Sequence, residues 1–168
     1  WLFETFKDDK DVGIVLKTNV GTNSLIDRNN VIDIINSVIK ETRVGSFPRV
    51  YLLHGDMNDN EIASLYRQKN IKALISLTRG EGFGLPLLEA AASDLPIIAT
   101  EWSAHTEFLG LGKYIPVYYT LEKIHNSRVD NKIFMPEARW ANASEQDFKK
   151  KVLKFRNNSD KPVEWAKQ

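Results

Sequence analysis

Short apolar runs alternate along the chain with stretches in which apolar residues recur every three or four positions. The runs Val12–Leu16, Val50–Leu53, Ala73–Leu77 and Ile97–Thr100 each predict a strand. Val31, Ile34, Ile35, Val38 and Ile39 share one side of a helix spanning roughly 30–42. Ile62, Leu65 and Tyr66 predict a second helix, with Asn60 as its cap. Leu87 to Ser93 predicts a third, with Pro86 in its first turn, where the missing N–H costs nothing. Ile97–Thr100 follows the turn Asp94-Leu95-Pro96.

Strand and helix in this rhythm imply βαβ units. The expected class is α/β, a Rossmann-like parallel sheet with helices on both faces and right-handed crossovers. Continuous apolar runs suit strands covered on both sides. Beyond Gly112 the rhythm weakens. Ile115–Tyr119 predicts an edge strand, and residues 121–142 carry no pattern that places them. Ser144 and Asp147 form a capping-box pattern, after which Phe148, Val152 and Phe155 make one stripe of a final helix. With no internal repeat, low-complexity tract or linker, residues 1–168 read as a single domain.

Composition narrows the function. A net charge of +1 gives no support for nucleic-acid binding. The basic run Lys149, Lys150, Lys151, Lys154 and Arg156 lies on the final helix opposite its apolar stripe, so it reads as a solvated face. The chain has no cysteine, which excludes disulfides, thiolate metal sites and cysteine nucleophiles. That absence fits a reducing, cytoplasmic setting. No apolar run reaches the length of a membrane span. The start, Trp1-Leu2-Phe3-Glu4, has neither initiator Met nor basic n-region, and it reads as a chain cut from something larger.

The stretch richest in chemistry is Arg79-Gly80-Glu81-Gly82-Phe83-Gly84-Leu85-Pro86-Leu87-Leu88-Glu89-Ala90. It lies between a predicted strand and a predicted helix, where open α/β sheets bind ligands. Three alternating glycines let backbone approach a guest closely. The helix start offers the amides of Gly84, Leu85, Leu87 and Leu88 to an anion. The stretch lacks the Gly-Lys-Ser/Thr ending of a P-loop and the spacing of a dinucleotide fingerprint. Two carboxylates, Glu81 and Glu89, flank the anion-friendly turn. Carboxylates accept hydrogen bonds from vicinal diols, so a guest with a central diphosphate and hydroxyls at both ends fits the arrangement. A nucleotide sugar has that layout. On spacing alone a second reading stays open, a glycine turn before a helix whose Glu merely complements the dipole.

Glu81 to Ala92 resembles the Glu-x7-Glu motif of the large retaining glycosyltransferase family that includes sucrose, glycogen and lipopolysaccharide mannosyl synthesis enzymes (GT-B fold, family 4-like). The likeness continues through Pro96–Thr100, and upstream through Gly55, Glu61, Ile62, Leu65 and Tyr66. It covers roughly residues 1–110 and the final helix. The resemblance implies two facing Rossmann-like domains, of which this chain is the C-terminal, donor-binding one. It implies that Glu81 is the catalytic carboxylate at the transferred sugar. Gly82 and the amides of Phe83, Gly84 and Leu85 would touch the sugar and distal phosphate, Glu89 would hold the ribose diol, and Gly55 and Asp56 would lie near the base. The donor would be a UDP-, GDP- or ADP-linked sugar, with no obligatory cofactor or metal. The acceptor, a glycan, lipid or protein, would be bound by an N-terminal domain not in this chain, leaving the fragment alone inactive.

Two departures stand out. The family's Gly-Arg…Lys diphosphate clamp falls before Trp1, with the first strand. Lys17 either substitutes in part or is an ordinary exposed lysine. Asp94 replaces a frequent glycine, at a turn whose left-handed backbone Asp tolerates. His54 reads as structural or as a nucleotide neighbour, His105 and Glu107 as contacts or supports near the sugar, and Trp102 as a stacking or packing residue. A catalytically silent sugar-nucleotide-binding module is the alternative function. A receiver-like signalling domain is disfavoured, because no acidic cluster ends the first strand.

Overall fold

A computed structural model describes residues 1–167 as a mixed α/β chain in which parallel strands are joined by helices. It divides into two compact units, Trp1–Asn58 and the remainder from Asp59.

The first unit contains α1 (Leu2–Thr5), β1 (Gly13–Thr18), α2 (Leu25–Thr42) and β2 (Arg49–His54). The two strands are parallel, with Ile14 opposite Val50 and Leu16 opposite Leu52. In β1 exposure alternates: Gly13, Val15 and Lys17 are exposed, and Ile14 and Leu16 are half-buried. Helix α2 begins five residues before the position its apolar stripe predicts. Of the predicted stripe Val31 is buried and Ile35 and Ile39 are half-buried, while Ile34 and Val38 are exposed, as are Leu25 and Ile26 before it. The start is set instead by Ser24, whose Oγ accepts the Asp27 N–H at 3.1 Å. Asp27 itself is buried. Its carboxylate accepts from His54 Nε2 at 2.7 Å and from the Val20 amide at 3.1 Å. This ties the first turn of α2 to the end of β2. The His54 hydrogen bond, helped by the Val20 and Gly21 amides, holds the Asp27 carboxyl below its ordinary range despite burial acting the other way.

The second unit contains α3 (Asp59–Tyr66), β3 (Leu74–Ser76), α4 (Leu85–Ala91), β4 (Ile97–Thr100), α5 (His105–Leu109), β5 (Ile115–Val117), β6 (Tyr119–Lys123), a 3-10 turn (Asn126–Arg128), β7 (Arg139–Ala143), α6 (Glu145–Asn157) and α7 (Asp160–Ala166). Strands β3, β4 and β5 form a parallel sheet in that order, with Ile75 opposite Ile98 and Ala99 opposite Pro116. All four residues of β4 are buried, as a continuous apolar run in a central strand requires. Leu87 and Ala90 of α4 join Leu95, Ile97, Ala99 and Leu109 in one core, with Tyr66, Ile71 and Phe108 against it. Asn60 is inside α3 rather than capping it, because the helix begins at Asp59.

The apolar run Ile115–Tyr119 is two strands, not one. Tyr119 starts an antiparallel hairpin with β7, in which Leu121 faces Ala141. Its connection is shaped by Asp130, whose Oδ1 accepts the amides of Lys132, Ile133 and Phe134, each at 2.9 Å. At the start of α6, Ser144 Oγ accepts the Asp147 N–H at 3.3 Å, which is half of a capping box. The Asp147 carboxylate does not return to Ser144. It accepts the Tyr118 N–H at 2.7 Å and pairs with Lys151. Lys151 also donates to the Pro116 carbonyl, so this lysine of the basic run is a tie between helix and sheet. Phe148, Val152 and Phe155 are buried as one stripe.

Phe148→Ala should lower stability by about 3–5 kcal/mol in denaturant unfolding, while exposed Leu153→Ala costs under about 1 kcal/mol. The Asp27–His54 tie gives a pH signature. A carboxyl lowered in the folded state contributes stability above its unfolded pKa and loses it as pH falls through the lowered one. Asp27→Asn should therefore unfold at a lower temperature than wild type at neutral pH, with the gap closing in acid.

Candidate active site

The turn between β3 and α4 is built around one residue. Gly84 has φ +93°, in the left-handed region, and it caps α4. A Cβ at this position would meet the His105 Cβ at 3.0 Å and the Leu87 Cδ1 at 3.3 Å. Both the backbone angle and the packing therefore require glycine. The Gly84 carbonyl accepts the N–H groups of Leu87 at 2.9 Å and Leu88 at 3.1 Å. Those two amides are consequently not available to a guest, contrary to the expectation from sequence. The expected range Leu87–Ser93 also shifts, because the helix starts at Leu85 and ends at Ala91. Since α4 is only two turns long, the anion-facing groups are the amides of the turn itself. Those of Phe83, Gly84 and Leu85 have no acceptor among the described residues.

The other glycines differ. A Cβ on Gly82 would meet nothing within 4 Å, and one on Gly80 only the Ser103 Oγ at 4.0 Å. Packing within the chain does not account for Gly82. Around it, Phe83 is exposed and stacks at a tilt on Phe108, with ring centroids 5.6 Å apart. Glu81 is half-buried at the start of the turn. Glu89 is exposed on α4, one turn beyond exposed Leu85 on the same face. On the neighbouring helix α3, burial and then the Glu89 charge push the Tyr66 hydroxyl above its ordinary pKa.

Two supports of the turn carry no sequence signal. Ser103 Oγ accepts the Glu81 N–H and donates to the Glu81 carbonyl, both at 2.8 Å. Ser103 does this from φ +92°, a left-handed angle unusual for serine. The second support is the hairpin. The Ala141 N–H donates to the Arg79 carbonyl at 3.0 Å, and the Arg79 guanidinium lies 4.4 Å from the centroid of the Trp140 ring, which meets Phe134 edge-on. Both partners are distant in sequence, so local pattern cannot reveal them.

The remaining candidates are placed as follows. His105 is fully buried. Its Nε2 donates to the Thr100 carbonyl at 2.8 Å and its Nδ1 is buried without a partner. Glu107 is exposed on α5. Trp102 packs against Tyr119 at 5.4 Å. Asp94 adopts φ +59°, as its turn requires. Within the first unit, Lys17 Nζ donates to the Gly55 carbonyl. Gly55, at φ +95°, is followed by Asp56, whose carboxylate accepts from Asn23 at 2.7 Å and whose amide donates back to Asn23 at 2.8 Å. The structure thus brings Lys17, Gly55 and Asp56 together, with Asn23 as a lock that sequence reading missed. No group of three or more His, Asp or Glu side chains among the described residues is arranged to hold a metal ion.

A glycine turn flanked by two glutamates, with open amides between them, lies within a longer stretch that has known relatives. Residues 49–120 match the family Glycosyl transferases group 1. The match runs from β2 through the glycine turn to the start of β6. Two serotype-specific mannosyltransferases WbdA of Escherichia coli are 49% identical over 43 residues, which is 26% of this chain and 5% of each relative. The crystal structure of the pneumococcal O-GlcNAc transferase GtfA in complex with UDP and GlcNAc matches 99% of this chain and 28% of its own, with a TM-score of 0.55 and 16% identity. That likeness shows a shared α/β fold. The chain therefore spans a small part of the length of each relative. No helix among the described residues is long and apolar enough to cross a membrane.

The turn's geometry sets a test on stability. Gly84→Ala should cost about 3 kcal/mol through left-handed strain and crowding against His105. Gly82→Ala should change the unfolding midpoint little, since its Cβ enters open space.

Proposed function

We propose that this chain binds the nucleoside diphosphate sugar donor of a retaining GT-B glycosyltransferase. The observation that carries the reading is the turn Glu81–Leu85, with three amides open to an anion and carboxylates before and after it, inside the stretch that matches the glycosyltransferase family. Open amides suit the distal phosphate and Gly82 leaves room for a pyranose at the backbone. Glu81 accepts hydroxyls of the transferred sugar and Glu89 the ribose diol. In the reaction, the bond from the sugar's anomeric carbon to the diphosphate oxygen breaks. A bond to the acceptor oxygen forms on the same face, and the acceptor's proton passes to the departing diphosphate oxygen. Charge developing on the diphosphate is stabilised by the preorganised turn amides, without an obligatory metal.

Residues 1–168 act as one donor-binding domain in this reading, and an acceptor-binding domain completes the enzyme. The chain alone therefore binds donor and transfers nothing. The acceptor is a glycan, lipid or protein held by that other domain. Lys17 and the Gly55–Asp56 turn are the first unit's candidates for donor contacts, to be tested by their own substitutions. The cysteine-free composition supports a cytoplasmic setting.

Titration with UDP, GDP and ADP should raise the melting temperature for at least one of them, because a ligand of the folded state must stabilise it. Glu89→Ala should weaken that nucleotide roughly tenfold, and Lys151→Ala should leave its binding unchanged. Equal effects of the two substitutions would reduce Glu89 to a helix residue. No shift with any nucleotide would remove the donor site. Nucleotide binding by a longer protein carrying this chain, with no transfer from any sugar nucleotide, would identify a silent binding module instead.

A further inference from the structure

We infer that Ser103 is a positioning residue for Glu81, a strut that fixes the height of the catalytic carboxylate's backbone above the sheet. The inference rests on the donor-site reading and assigns a function to a residue outside the glycine motif.

The strut has a continuous mechanical path. Strand β4 is wholly buried, and the residue after it, Glu101, is pinned by donation of its N–H to the Val117 carbonyl of β5 at 3.0 Å. Two residues later the chain turns left-handed at Ser103. That conformation is unfavourable for serine and persists only where surroundings impose it. Here Thr106 imposes it. Its N–H and its Oγ1 both donate to the Ser103 carbonyl, at 3.0 and 2.7 Å. The fixed serine then uses one hydroxyl twice, accepting from the Glu81 amide and donating to the Glu81 carbonyl. A hydroxyl has the capacity for both roles at once. The two peptide groups that flank the Glu81 Cα are thus each held by the same side chain, one through its N–H and one through its carbonyl, and the amides that follow, at Phe83, Gly84 and Leu85, stay free for a guest.

A purely structural turn at this position would favour glycine, which adopts φ +92° without strain. Serine there supplies what glycine cannot, a grip on Glu81. Strain retained at one residue while it orders a neighbouring site residue is a signature of a functional constraint.

Ser103→Gly separates the two roles, because relief of backbone strain offsets loss of the hydrogen bonds. Its melting temperature should stay within about 3 °C of wild type. Ser103→Ala, which keeps the strain and loses the bonds, serves as the second variant. Two measurements are made on the whole chain. Amide hydrogen exchange without ligand should quicken at Glu81 by roughly tenfold or more in both variants. Calorimetric titration compares UDP-N-acetylglucosamine and GDP-mannose with UDP and GDP. The sugar nucleotide that wild type binds should weaken about tenfold, and the matching bare diphosphate less than about twofold. Unchanged exchange at Glu81 overturns the strut. Quickened exchange with unchanged binding, or with equal loss for both ligands, overturns the positioning role. If wild type binds none of the four compounds, the donor-site reading fails and takes that role with it, while the exchange data still report on the strut by themselves.

Discussion

The absence of a side chain at Gly84 is the constraint from which the candidate site follows. The backbone there is left-handed, and a Cβ would lie only 3.0 Å from the His105 Cβ. Because the chain can pass so close to α5, Leu87 and Ala90 reach the core and α4 packs on the sheet. Because the turn is left-handed, the Gly84 carbonyl faces back along the helix and collects the Leu87 and Leu88 amides. The preceding amides are left over, and the exposed side of α4 carries Glu89. One backbone angle thereby divides the polar groups into those that build the protein and those that stay open to solvent.

What was legible in the sequence was what depends on near neighbours. Ile97–Thr100 reads as a buried strand and is one, because a central parallel strand needs an unbroken apolar run. The buried stripe of α6 and its Ser144 cap could be read because both lie within a few residues of each other. The glycine-rich turn between a strand and a helix was legible in position, and the expected left-handed turn at Asp94 is present. Boundaries were less accessible. The stripe of α2 marks a helix, not its first residue nor a face covered throughout, since Ile34 and Val38 are exposed, and Pro86 marks a helix start without telling which amides that start consumes.

The unplaced residues 121–142 show the opposite case. Their fold is set by pairing across the hairpin, by the Asp130 side chain catching three amides, and by Trp140 meeting Arg79. None of these has a local period. Ser103 is equally hidden, since a serine three residues after a strand is ordinary until its partner in the loop is known. The candidate site as read from sequence therefore held the residues of the glycine turn, and lacked Ser103 and the hairpin, which hold that turn still. The buried His105 belongs with the latter: its place against Gly84 and its bond to the Thr100 carbonyl make it part of the wall behind the turn.

The attachment of Ala141 to the Arg79 carbonyl has a consequence for the order of events during synthesis. The glycine segment leaves the ribosome well before Ser103, and longer still before the hairpin that secures its first residue. Contacts so far apart along the chain form late, after the costly closure of the intervening loop. Nascent chains thus expose Arg79 to Leu85 as a loose, glycine-rich segment until both partners have been made. It rigidifies only once residues through Ala143 have arrived, so removal of the hairpin should loosen the loop at a distance, even though every residue of the motif remains.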